Sequence, residues 1–140
     1  MALSLFPEGM MGGNSSSSMT IDGIAAKLSY FHEQLHLLHW QTTSYAEHQA
    51  LGGLYDKVAD LKDEIVEKIM GYSGTRPKAY KIEPLKDYAI GMPKQIVSEL
   101  ETFAQNLEEF GESRGMPDIE NIAQSLSGEA AKVKYLLTLS

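Results

Sequence analysis

Between Ile21 and Leu137 the apolar residues recur at three- and four-residue intervals in four separate stretches, a period that only amphipathic helices satisfy. Ile21, Ile24, Leu28, Phe31, Leu35 and Leu38 stripe the first, and Leu51, Leu54, Val58, Leu61, Ile65 and Ile69 the second. Ile96, Leu100, Phe103, Leu107 and Phe110 stripe the third, and Ile119, Ile122, Leu126, Val133 and Leu137 the fourth. The helices are expected near residues 20–45, 47–72, 93–112 and 117–138. Thr20 stands where an N-cap belongs, and the last two helices each follow Gly-Met-Pro, with proline in the first turn where its missing N–H costs nothing. Residues 72–92 break the period with Gly74, Pro77, Pro84 and Gly91 and exceed a simple turn between antiparallel neighbours. They read as a crossover carrying a short helix around Leu85 to Ala89, which sets the third helix parallel to the second. The fold class is an all-α four-helix bundle.

A chain of 140 residues with 43% hydrophobic content makes one domain able to bury a core without disulfides. Residues 20–140 are assigned to it. Residues 1–19, with Gly12-Gly13 and the run Ser15 to Ser18, are expected to form a flexible tail. No cysteine is present, so a transition metal here must use His, Asp and Glu. The net charge of −7, with no basic residue before Lys27, opposes binding to a phosphate backbone, so DNA is not an expected partner. The N-terminal stretch lacks the pattern of a secretory signal and no run is long enough to cross a bilayer, so a soluble cytoplasmic protein without membrane contact is expected.

The chemistry-bearing residues concentrate between His36 and Gly71. Asp63 and Glu67, spaced i, i+4, lie one turn apart on one helix face, placed to chelate a cation or to pair with Lys62 and Lys68. His39 falls inside the apolar stripe of the first helix, where an imidazole either packs against a hydrogen-bond partner or binds metal as the neutral base. His48 opens the second helix and converges with it, whereas His32 and His36 read as surface residues. Trp40 projects off the core stripe, which points to a second buried surface. Gly52 and Gly53 are costly inside a helix unless another backbone approaches. Asp63 and Glu67 face away from their own core stripe, together with Asp56 and Asp60. They reach histidines only in a neighbouring chain, and a symmetric dimer would build two identical sites that way. Nitrogen and oxygen donors without sulfur suit iron, manganese or zinc.

His39-Trp40, His48 and the segment Asp63-Glu64-Ile65-Val66-Glu67-Lys68-Ile69 resemble the Dps-type mini-ferritins. That resemblance implies a ferritin-like bundle, a homo-oligomer of at least a dimer with a hollow dodecamer as the full shell, and an iron cofactor. It also implies a ferroxidase site between subunits, with His39 and His48 from one chain and Asp63 and Glu67 from the other as iron ligands. The implied activity is oxidation of ferrous iron and storage of the ferric product. Two features depart from the pattern: the stretch between the histidines is shorter, and Gly52 stands where the family commonly has another acidic residue. The segment from His39 to Leu51 is also similar to a small uncharacterised protein of tailed bacteriophages. The alternative function is accordingly a non-catalytic ferritin-like interaction protein with packed histidines and a solvated acidic face.

Overall fold

The computed structural model describes residues 19–139, so the tail expected over residues 1–19 lies, except for Met19, outside the described residues. Four helices follow in order: α1 (Ile21–Gln41), α2 (Tyr45–Ser73), α3 (Met92–Ser113) and α4 (Pro117–Leu136). No β-strand occurs among the described residues, and no helix there is long and apolar enough to cross a membrane. Thr20 caps α1 by accepting a hydrogen bond from the Gly23 N–H at 3.1 Å. The helix stops at Gln41 rather than near residue 45 because Thr42 turns extended. The Thr42 hydroxyl accepts from the Ser44 N–H at 3.1 Å and donates to Glu47 Oε1 at 2.6 Å. Ser44 then caps α2 through the Glu47 N–H at 3.2 Å.

The core stripes meet in the middle of the bundle. Leu28, Phe31, Leu35, Leu51, Val58, Ile65, Ile96, Leu100, Leu107, Ile119 and Leu126 are all fully buried. Phe31 packs against Tyr30 and Phe103 at ring-centre distances of 5.3 and 5.8 Å. Helix α1 lies along α2, α3 along α4, and α2 against α4. Between α3 and α4 the chain turns through a Schellman motif in which Gly115 takes φ 68°, the Met116 N–H reaches the Gly111 carbonyl at 2.8 Å, and the Gly115 N–H reaches that of Glu112 at 3.3 Å. The α1–α3 seam is looser than those of α1 with α2, α3 with α4 and α2 with α4, and it opens into a groove of about 600 Å³ floored by Ile24 and Phe103, lined without any of the four histidines.

Residues 74–91 run back along α1 and so deliver α3 parallel to α2, as the interrupted period predicts. Three side chains of α1 hold the backbone of this crossover, and Lys27, Ser29 and Tyr30 bond its side chains. Asp22 accepts from the Lys78 N–H at 2.6 Å near the start of the helix. Gln34, fully buried, accepts from the Lys86 N–H at 2.7 Å and donates to the Lys86 carbonyl at 2.9 Å. Gln41 accepts from the Tyr88 N–H at 2.8 Å at the far end. The short helix expected around Leu85 to Ala89 does not form, and the span explains why. From Lys78 to Tyr88 an extended chain reaches roughly 33 Å, against roughly 29 Å of helix between Asp22 and Gln41. A helical turn inside that segment would leave it too short to reach both anchors.

Candidate functional site

The turn joining α1 to α2 is closed by two histidines. His39 Nδ1 lies 2.7 Å from the His48 carbonyl oxygen, and His48 Nδ1 lies 2.9 Å from the His39 carbonyl oxygen. A carbonyl only accepts, so each Nδ1 carries the proton and, in the neutral ring, each Nε2 keeps the free lone pair. The rings stack face to face with centres 3.8 Å apart and 15° between planes. Lone pairs lie in the ring planes, so two locked, nearly parallel rings do not aim at one point between them. The sequence places these two histidines together, and the structure does so through mutual ring-to-backbone bonds.

Gly52 is where the histidine pair meets α2, and what approaches it is a side chain rather than the expected backbone. A Cβ at Gly52 would sit 2.9 Å from His39 Cε1 and 3.1 Å from Nδ1. At Gly53 a Cβ would meet nothing within 4 Å, so no contact among the described residues accounts for that glycine. Gly52→Ala is expected to push the His39 ring off the His48 carbonyl, and the lost bond outweighs the gain in helix propensity by about 1 kcal/mol. Urea unfolding checks this, with Gly53→Ala as a control expected to be stabilised. A Gly52→Ala midpoint at or above the native one would mean that the ring contact does not matter.

Further down the same face the structure assembles a stack that the sequence reading leaves on the surface. His36 lies against Tyr55 with ring centres 4.2 Å apart and 13° between planes, and against Trp40 at 3.8 Å. His32 follows, 6.1 Å from His36 and 5.7 Å from Tyr55. All four histidines of the chain therefore share one half-buried face of α1 and α2. The i, i+4, i+7 spacing of His32, His36 and His39 is the signal that would have found it. Burial holds the His32 imidazole below the ordinary histidine pKa and the Lys62 ammonium adds to the effect, against the opposing pull of the Glu33 carboxylate. Trp40 rests on His36 but stays 66% exposed, and Tyr45 beyond it is 75% exposed.

Asp63 and Glu67 are exposed on α2. Fifteen residues separate Asp63 from His48, roughly 22 Å along the helix axis, so the two pairs do not meet within one chain. Among the described residues no three His, Asp or Glu side chains converge to hold a metal ion. Asp63 and Glu67 form no ion pair there either. Lys68 instead pairs with Glu64 at 3.5 Å and with Asp118 of α4 at 3.3 Å. Glu47, which the sequence reading passes over, ties the site to the crossover: its Oε1 accepts from Thr42 and also from the Tyr88 phenol at 2.7 Å. That hydrogen bond, with burial second, raises the Tyr88 phenol above its ordinary pKa.

Comparison with known proteins finds a family of unknown function and an uncharacterised bacteriophage protein. The chain is similar to the "Uncharacterized 14.6 kDa protein in mobD-ri intergenic region" of Enterobacteria phage T4, 27% identical over 118 residues that cover 83% of each chain. No solved structure matches. The matches support the bacteriophage half of the resemblance and give the mini-ferritin half no support. The matching family spans residues 39–137, starting on His39 and taking in His48, Gly52, Asp63 and Glu67. The chain belongs to that family, the family of unknown function DUF5856.

Proposed function

We propose that the protein is a self-associating four-helix bundle whose assembly brings His39 and His48 of one chain to Asp63 and Glu67 of a second. There the four side chains take ferrous iron as substrate and oxidise it with peroxide or dioxygen, in the manner of the mini-ferritins the segment resembles. The observation that carries this reading is the bonding of the two histidines. Both Nδ1–H groups are spent on carbonyls, the arrangement that ligating histidines commonly have, and both Nε2 atoms are left as donors. Asp63 and Glu67, exposed and without ion pairs among the described residues, supply the oxygen donors that favour the ferric product. Self-association supplies the second chain, and light scattering at micromolar concentration is expected to return a dimer or a larger shell.

A second reading is favoured by the near-parallel stacking of the two rings and by His39 filling the place at Gly52. It makes the protein a non-catalytic interaction bundle whose histidines serve only to close the α1–α2 turn. Ferrous titration followed by stopped-flow absorbance separates the two. The native protein is expected to oxidise iron faster than buffer, with His39→Ala and Asp63→Ala slowed at least about tenfold, the scale on which losing a metal-site group acts. Variants as fast as the native protein would move the site elsewhere. A native rate equal to background would leave the interaction reading.

A further inference from the structure

We infer that His32 and His36 form a separate cation site, a two-imidazole chelate for borderline divalent metals that is complete within one chain and binds copper(II) ahead of nickel(II) and zinc(II). The two residues are spaced i, i+4 on α1, so their side chains project one turn apart on the same face. Their ring centres are 6.1 Å apart. Two imidazoles gripping one ion at about 2.0 Å per nitrogen hold their centres roughly 4.5–5 Å apart, so the centres have to approach by about 1 Å and the rings, now 28° from parallel, have to turn until a nitrogen of each faces the ion. Unlike His39 and His48, neither ring is locked by a hydrogen bond. His36 has no hydrogen-bond partner among the described residues, and His32 has only the Glu33 carboxylate 3.7 Å from its Nδ1.

A half-buried imidazole with no partner in the protein is satisfied only by water or by a cation. Tyr55 and Trp40 wall the His36 ring on its two sides, which limits its freedom before any ion arrives. Binding exchanges water ligands of the ion for two ring nitrogens, with no change of oxidation state, and water keeps the remaining positions. Two imidazole nitrogens, with no group of three His, Asp or Glu side chains converging among the described residues, select copper, nickel and zinc over magnesium and calcium, and among the former copper(II) binds tightest. The site does not depend on the proposed iron chemistry, on His48 or on a second chain.

The only tryptophan of the chain is a built-in reporter, because its ring lies 3.8 Å from that of His36 and a copper(II) ion there would quench its emission. The experiment is titration of the full chain with copper(II), followed by Trp40 fluorescence and by the nitrogen splitting in the electron paramagnetic resonance spectrum. Saturable quenching with two-imidazole splitting is expected, reversed by excess zinc(II) and untouched by magnesium. His32→Gln and His36→Gln should each weaken binding at least about tenfold, because the chelate's effective concentration is lost with either ring. Glu109→Gln, exposed on α3 and outside both sites, should bind as the native protein does. His32→Gln decides the matter, since it leaves the Trp40 contacts in place. Native-like titration of that variant, or loss of quenching in Glu109→Gln instead, would overturn the proposal.

Discussion

Gly111→Ala is expected to cost about 2–3 kcal/mol of stability and to lower the melting temperature by roughly 8–12 °C. Gly111 is fully packed where the end of α3 crosses the start of α4. A Cβ built there would lie 2.8 Å from the Glu120 backbone nitrogen, 3.1 Å from the Met116 carbonyl oxygen and 3.2 Å from Ile119 Cβ. Two of the three obstacles are backbone, so no rotamer change relieves them and α4 has to move away from α3. That movement strains the Met116 N–H bond to the Gly111 carbonyl at 2.8 Å, which closes the turn. The control is Gly128→Ala in the exposed middle of α4, where a Cβ meets nothing within 4 Å. The same substitution there should stabilise by about 0.5–1 kcal/mol through helix propensity alone. Thermal unfolding of the two variants with the same sign of change would refute the close-approach argument.

Gln34→Leu is expected to destabilise by about 2–3 kcal/mol, because it removes two hydrogen bonds at once and strands the Lys86 N–H and carbonyl they satisfy. Leucine keeps most of the volume, so a cavity contributes little and the loss reads the bonds. The change is also local. With its central backbone anchor gone, the crossover keeps Asp22 at one end and Gln41 at the other, with only the side-chain bonds of Lys27, Ser29 and Tyr30 between them, and that segment should open more often than the bundle unfolds. Trypsin should then cut at Lys81 or Lys86 several-fold faster under native conditions, while cleavage within α4 stays unchanged. An unaltered urea midpoint together with unaltered cleavage would mean that water replaces the glutamine at no cost.

Local chemistry is enough to place the helices. The apolar stripes, Thr20 before the first helix and the two Gly-Met-Pro starts put every helix within a few residues of where it forms, because period and capping are properties of neighbouring residues. The first helix is the largest deviation. It ends at Gln41 because the Thr42 hydroxyl engages Ser44 and Glu47, a turn made by side chains rather than by a helix-breaking residue. The parallel setting of the third helix was also legible, from the length of the interrupted segment.

What the chain alone determines about the site is the company its residues keep in sequence: His39 near His48, Asp63 one turn from Glu67, and the second pair on the side of its helix that faces away from the core stripe. Tertiary structure decides the rest. It shows that Gly52 makes room for an imidazole, that Gln34 and Gln41 are spent on the backbone of a segment more than forty-five residues away, and that Tyr55 of α2 turns His36 and Trp40 of α1 into a stack. Each of these contacts joins positions on different elements, so neither the helical period nor a local motif encodes it. It exists only once the packed core has set the distance and rotation of one element against the next.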